Sequence, residues 1–124
     1  MLTASTATRV FLAVGATDMR KSFDTLGAIV RNDLGADPTS GHLYVFCNKR
    51  CDRIKVLHFD GSGLWVSAKR LERGTFSWPG NADDRAIELS REELAALLGG
   101  LDLRHTKRRC WYRVRSSNPD DRKR

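Results

Sequence analysis

The sequence predicts a single small α+β domain: a mainly antiparallel sheet of four or five strands, one amphipathic helix on a face, a short second helix, and a basic C-terminal tail. Three observations carry that prediction. Apolar residues recur at helical spacing between positions 19 and 34. Four short runs of strand character follow between positions 43 and 78, joined by brief connections, and the excess positive charge is confined to the end of the chain.

Residues 9 to 14 form a short apolar run closed by Gly15, the pattern of a buried strand. Thr17 or Asp18 is the expected cap of the helix that follows. Met19, Phe23, Leu26, Val30 and Leu34 stack as one stripe at period 3.6, Gly35 suits the position just past the helix, and Pro38 forbids continuation. Strands are then expected at 43–47, 54–59, 64–68 and 75–78. Between the second and third of these, Asp60-Gly61-Ser62-Gly63 is a hairpin signal, and the short connections require antiparallel pairing. Pro79-Gly80-Asn81 ends the run, and 82–86 reads as a surface loop. Ser90-Arg91-Glu92-Glu93 matches a capping box, with Leu89 and Leu94 as its hydrophobic staple. Leu94, Leu97, Leu98 and Leu101 supply the apolar side of a short helix ended by Gly99-Gly100 and expected at the sheet margin.

A chain of 124 residues and 14.0 kDa supports one core. Hydrophobic residues at 40% and charged residues at 30% exclude a wholly disordered chain. Residues 103–124 carry nine Lys or Arg against Asp120 and Asp121, which matches the whole-chain charge of +7, so residues 1–102 are neutral. The expected division is therefore a folded domain at 1–102 and a basic tail at 103–124. No secretory signal is recognisable at the start, three cysteines suit reduced thiols, and no stretch is apolar enough to span a membrane. A cytoplasmic protein without membrane contact is expected.

Two basic clusters are candidate nucleic-acid contacts. The first is the hairpin region, with Lys49, Arg50, Arg53 and Lys55 at one end and Lys69, Arg70 and Arg73 at the other; Tyr44, Phe46, Phe59 and Trp65 lie on the same strands as candidate stacking groups. The alternative is a charged outer sheet face over an aromatic core. The second is the tail, where Lys107, Arg108, Arg109 and Arg113 surround Trp111 and Tyr112; the alternative there is a solubilising run or a contact for an acidic protein. Cys47-x-x-x-Cys51 with His42 and His58 is compatible in residue type with zinc. The spacing is loose and structural thiols are the better reading, so no metal and no cofactor are expected. His58 beside Lys55 and Asp60 has the chemistry of an acid–base group but no nucleophile or oxyanion site at recognisable spacing, and catalysis is not expected.

Several ordered blocks together carry a resemblance: Thr17-Asp18-Met19-Arg20-Lys21, Asp37-Pro38, Gly41-His42-Leu43, Asn48-Lys49-Arg50, Asp52-Arg53, Asp60-Gly61-Ser62-Gly63, Lys69-Arg70-Leu71-Glu72-Arg73-Gly74, and Phe76 with Trp78-Pro79. From about residue 9 to residue 102 the chain resembles the TnpB accessory protein of the insertion sequence 66 family, which is unrelated to the RNA-guided nuclease of the same name. The resemblance implies an accessory role in transposition beside a separate transposase that holds the strand-transfer chemistry. DNA in the transposition complex is then the expected partner. Docking of the transposase or another element-encoded accessory protein is the alternative, and a metal-dependent nuclease a distant third. Asp18 and Arg20 are expected to act as a cap and as a partner for a sheet-edge carboxylate.

Overall fold

The computed structural model describes residues 8–81 and 83–99. In chain order these form β1 (Val10–Ala16), α1 (Phe23–Asn32), β2 (Leu43–Cys47), β3 (Arg53–Phe59), β4 (Leu64–Arg70), β5 (Ala86–Leu89) and α2 (Arg91–Leu98). The five strands make one sheet in the order β4-β3-β2-β1-β5. Leu101 and the basic tail, including Lys107, Arg108, Arg109, Trp111 and Arg113, for which nucleic-acid contact is expected, lie outside the described residues.

The sheet is mixed. β2–β3, β3–β4 and β1–β5 pair antiparallel, whereas β1 and β2 pair parallel, with Val10 opposite Leu43 and Leu12 opposite Val45. Parallel neighbours need a crossover, and the segment carrying α1 supplies it. Side-chain alternation then sorts the core onto two faces. Val10, Leu12, Val45, Ile54 and Val56 meet Phe76, Ile87, Leu89, Leu94 and Leu97 on one side, while Ala13, Tyr44, Phe46 and Leu57 meet Leu26 and Val30 of α1 on the other. Because both faces are covered, all five residues of β2 are buried.

α1 begins later than its apolar stripe suggests. Asp18 caps a tight turn of its own: its carboxylate accepts the Arg20 N–H at 2.9 Å, and its carbonyl accepts the Lys21 N–H at 3.1 Å. The helix therefore starts after Ser22, whose N–H donates to the Thr25 hydroxyl at 2.8 Å. Neither Thr17 nor Asp18 is its cap, and Met19 and Leu34 flank it while still packing on its core. Ten residues are too few for a helix to persist alone in water. Burial of Leu26 and Val30, each stabilising by about 1.5–3 kcal/mol, holds it in place. Gly35, at φ +66°, turns the chain away, and the Ala36 N–H reaches the Val30 carbonyl at 2.9 Å.

Residues 75–78 are not a strand. Phe76 is buried in the core beneath the sheet, its N–H donates to the Cys51 carbonyl at 2.6 Å, and the Trp78 indole donates to the Ala13 carbonyl at 3.0 Å. The segment crosses the sheet face as irregular chain, so its alternating apolar pattern fills the core without joining the hydrogen-bonded ladder. The fifth strand is Ala86–Leu89, whose first residue falls in the stretch read as a loop. Ile87 and Leu89 alternate inward, and Glu88 outside forms an ion pair with Arg9 at 2.7 Å. The capping box of α2 is present as expected: the Glu93 N–H donates to the Ser90 hydroxyl at 3.0 Å and the Ser90 N–H to the Glu93 carboxylate at 2.7 Å. Among the described residues no helix is long and apolar enough to cross a membrane.

Candidate nucleic-acid interface

Three segments meet where β1 ends and β3 begins. The β2–β3 turn is built by Asn48, whose side-chain oxygen accepts the N–H groups of Asp52 and Arg53 at 3.0 Å each, while its amide donates to the Asp52 carboxylate at 2.7 Å. That side chain closes the turn and leaves Lys49 and Arg50 exposed at its tip. The bond from Asn48 holds the Asp52 carboxyl below the usual carboxylate range, and the Arg50 and Arg53 charges add to this. Cys51, at φ +58°, is the one non-glycine with positive φ among the described residues. The chain after β4 wraps the turn, its Leu71 N–H donating to the Asp52 carbonyl at 2.8 Å. The loop before α1 is tied in by two bonds: the Thr17 N–H donates to the Cys47 carbonyl, and the Lys55 ammonium donates to the Lys21 carbonyl, both at 2.8 Å.

These segments enclose two adjoining open depressions of about 480 and 430 Å³ that share Met19 and Arg53. The first is lined also by Lys55, Lys69, Arg70 and Glu72, the second by Asp18, Arg20, Lys49 and Arg50. Leaving out Lys69, whose ammonium turns to the other sheet face, six cations thus face two carboxylates. Both acids are already engaged, Asp18 with Arg20 at 2.7 Å and Glu72 with Arg70 at 3.2 Å. Lys49, Arg50 and Arg53 form no ion pair among the described residues, and the nearby carboxylate of Asp52, which feels the Arg50 and Arg53 charges, is hydrogen-bonded to Asn48.

Five of the sequence-predicted contacts therefore share one surface: Lys49, Arg50, Arg53, Lys55 and Arg70. Lys69 alternates to the other sheet face, where its ammonium donates to the Leu98 carbonyl at 2.6 Å and caps the negative end of α2. Arg73 is exposed and lines neither depression. Arg20 was expected to reach a sheet-edge carboxylate and instead makes a forked bond to Asp18, holding that carboxyl well below the usual range. Arg20 lines the second depression but was not among the expected contacts; its motif was one of the blocks that carry the resemblance.

The expected stacking aromatics are elsewhere. Tyr44 and Phe46 are buried in the core beneath α1, which is the alternative reading for those two rings. Trp65 is exposed but sits at the far end of the β3–β4 hairpin, its indole donating to Asp60 at 2.7 Å. Asp60 also accepts the Ser62 and Gly63 N–H groups, and these donors, the indole foremost, hold its carboxyl well below the usual range. His58 faces away from Lys55 by strand alternation and lies across from Trp65. His42 accepts the Arg9 N–H at 3.0 Å and stacks edge-on against Phe11. Burial and the facing Cys51 thiol push the Cys47 thiol far up, and no group of three or more metal-ligating side chains occurs among the described residues.

The family model described as IS66 Orf2-like protein matches residues 8–108. Two relatives from Sinorhizobium fredii (strain NBRC 101917 / NGR234) are similar over most of their length: the uncharacterized protein y4jC at 39% identity, covering 88% of this chain and 92% of that protein, and the uncharacterized protein y4hO at 41%, covering 85% and 90%. No solved structure matches the chain.

Proposed function

This chain belongs to the IS66 Orf2-like family, and from that premise we propose that it is a non-catalytic, DNA-binding accessory protein in the transposition of a bacterial insertion sequence. The family supports an accessory role in transposition. DNA binding is the finer step, and one observation carries it: Lys49, Arg50 and Arg53 line adjoining depressions without forming an ion pair among the described residues. Gathered like charges repel, and a polyanion that neutralises them releases its counterions on binding. Contacts of this kind engage phosphates, so they position the protein on DNA and read little sequence.

Titration of labelled duplex DNA across a salt series tests the reading. Each phosphate contact contributes about 0.9 to the slope of log affinity against log salt, so the combined Lys49→Ala, Arg50→Ala and Arg53→Ala variant is expected to flatten that slope by about two to three. Affinity that ignores both salt and the triple substitution refutes phosphate binding by this surface. Loss of transposase co-purification in the triple variant, with DNA affinity intact, assigns the surface to protein docking.

A further inference from the structure

Among the described residues the large hydrophobic side chains left exposed are Phe23 and Trp65. Trp65 has a local structural reason for its position in its bond to Asp60. Phe23 has none, being 47% exposed, with neither of the observed ring-to-ring contacts involving it. The loop that leads into it is tied down by the bond from Lys55, which lines the first depression, to the Lys21 carbonyl. Phe23 follows two residues later, within about 7 Å of chain. Leu26, fully buried one helical turn on, anchors the start of α1, so Phe23 is carried on a fixed support close in chain to the Lys55 contact, though it lines neither depression itself.

We propose that the DNA held at this surface is single-stranded, with an unpaired base stacked on the Phe23 ring while Arg53, Lys49 and Arg50 hold the neighbouring phosphates. The inference rests on the DNA-binding reading above and goes further by naming the strand state. A duplex hides its base faces inside the stack and offers an exposed phenyl ring nothing to cover it. A single strand presents a π-face at every nucleotide, and a cationic groove with an aromatic platform is the combination that binds it without sequence choice. The open shape of both depressions suits a strand passing across them.

Fluorescence anisotropy at fixed low salt decides the matter, with an oligothymidine of about 16 nucleotides and a duplex of the same length as probes. The single strand is expected to bind at least about five-fold more tightly than the duplex. Phe23→Ala is expected to weaken single-strand binding by about five-fold or more, the low end for loss of one base–aromatic stack, and to leave duplex binding unchanged; Phe23→Tyr is expected to retain it. Circular dichroism of Phe23→Ala checks that the fold is intact. Equal or tighter duplex binding, or single-strand affinity indifferent to Phe23→Ala, overturns this inference and leaves general DNA binding standing. Absence of binding to either probe overturns both.

Discussion

Gly80→Ala is expected to be among the most costly single-methyl additions in this protein. Gly80 sits where the segment after β4, having wrapped the cationic turn, returns to β1, and it adopts φ +105°. A side chain there is strained by the backbone alone, at about 1–3 kcal/mol. A Cβ at Gly80 would also lie 2.7 Å from one Val14 methyl and 3.1 Å from the other, and forcing a methyl into a packed site costs about a further 1–3 kcal/mol. The total, about 2–6 kcal/mol, is a large part of the 5–15 kcal/mol typical of a folded domain. Gly74→Ala is the control, because Gly74 has φ +73° with nothing within 4 Å of its Cβ position, leaving the backbone cost alone. Urea unfolding of both variants, each also made with Val14→Ala, separates the two contributions. The penalty at Gly80 should shrink by about 1–3 kcal/mol when Val14 is shortened, and the penalty at Gly74 should not change. Equal penalties at the two glycines, unaffected by Val14→Ala, would refute the close approach.

Ser90→Ala removes the hydroxyl that accepts the Glu93 N–H and is expected to cost about 1 kcal/mol in urea or thermal unfolding. Asp60 predicts an acid effect. Its carboxyl lies lower in the folded chain than the ordinary value near 3.9, so its contribution is fully present above about pH 4 and is lost as pH falls below that. Asp60→Asn should therefore lower the melting temperature near neutrality and flatten its decline between about pH 5 and about pH 3, read by thermal denaturation at each pH. An identical decline in both proteins would remove Asp60 from the account.

Local chemistry was legible wherever a few neighbouring residues settle the outcome. The hairpin at 60–63, the break at Gly35 and the capping box at Ser90 and Glu93 all appear where turn and cap preferences put them, because their partners lie within six residues. The cationic candidates were legible as a group for a related reason: the hairpin signal at 60–63 folds residues 49–55 back beside residues 69–73. Their sorting was not. Lys69 and Lys55 fall on opposite faces because of strand register, and the bonds from Lys69 to Leu98 and from Lys55 to Lys21 span 29 and 34 residues.

The same boundary separates the fold class from its topology. Apolar spacing and turn residues announced one α+β domain with an amphipathic helix, since period and backbone preference are properties of short segments. Which strand lies beside which was decided by packing between distant parts of the chain. The pattern at 75–78 is as strand-like as that at 86–89, yet the edge of β1 accepted Ala86–Leu89 and the core took Phe76 and Trp78 as irregular chain. The parallel pairing of β1 with β2, and the meeting of the loop before α1 with the β2–β3 turn that assembles the cationic surface, followed from the same cause. Burial energy is shared over the whole core, and no local run of residues contains it.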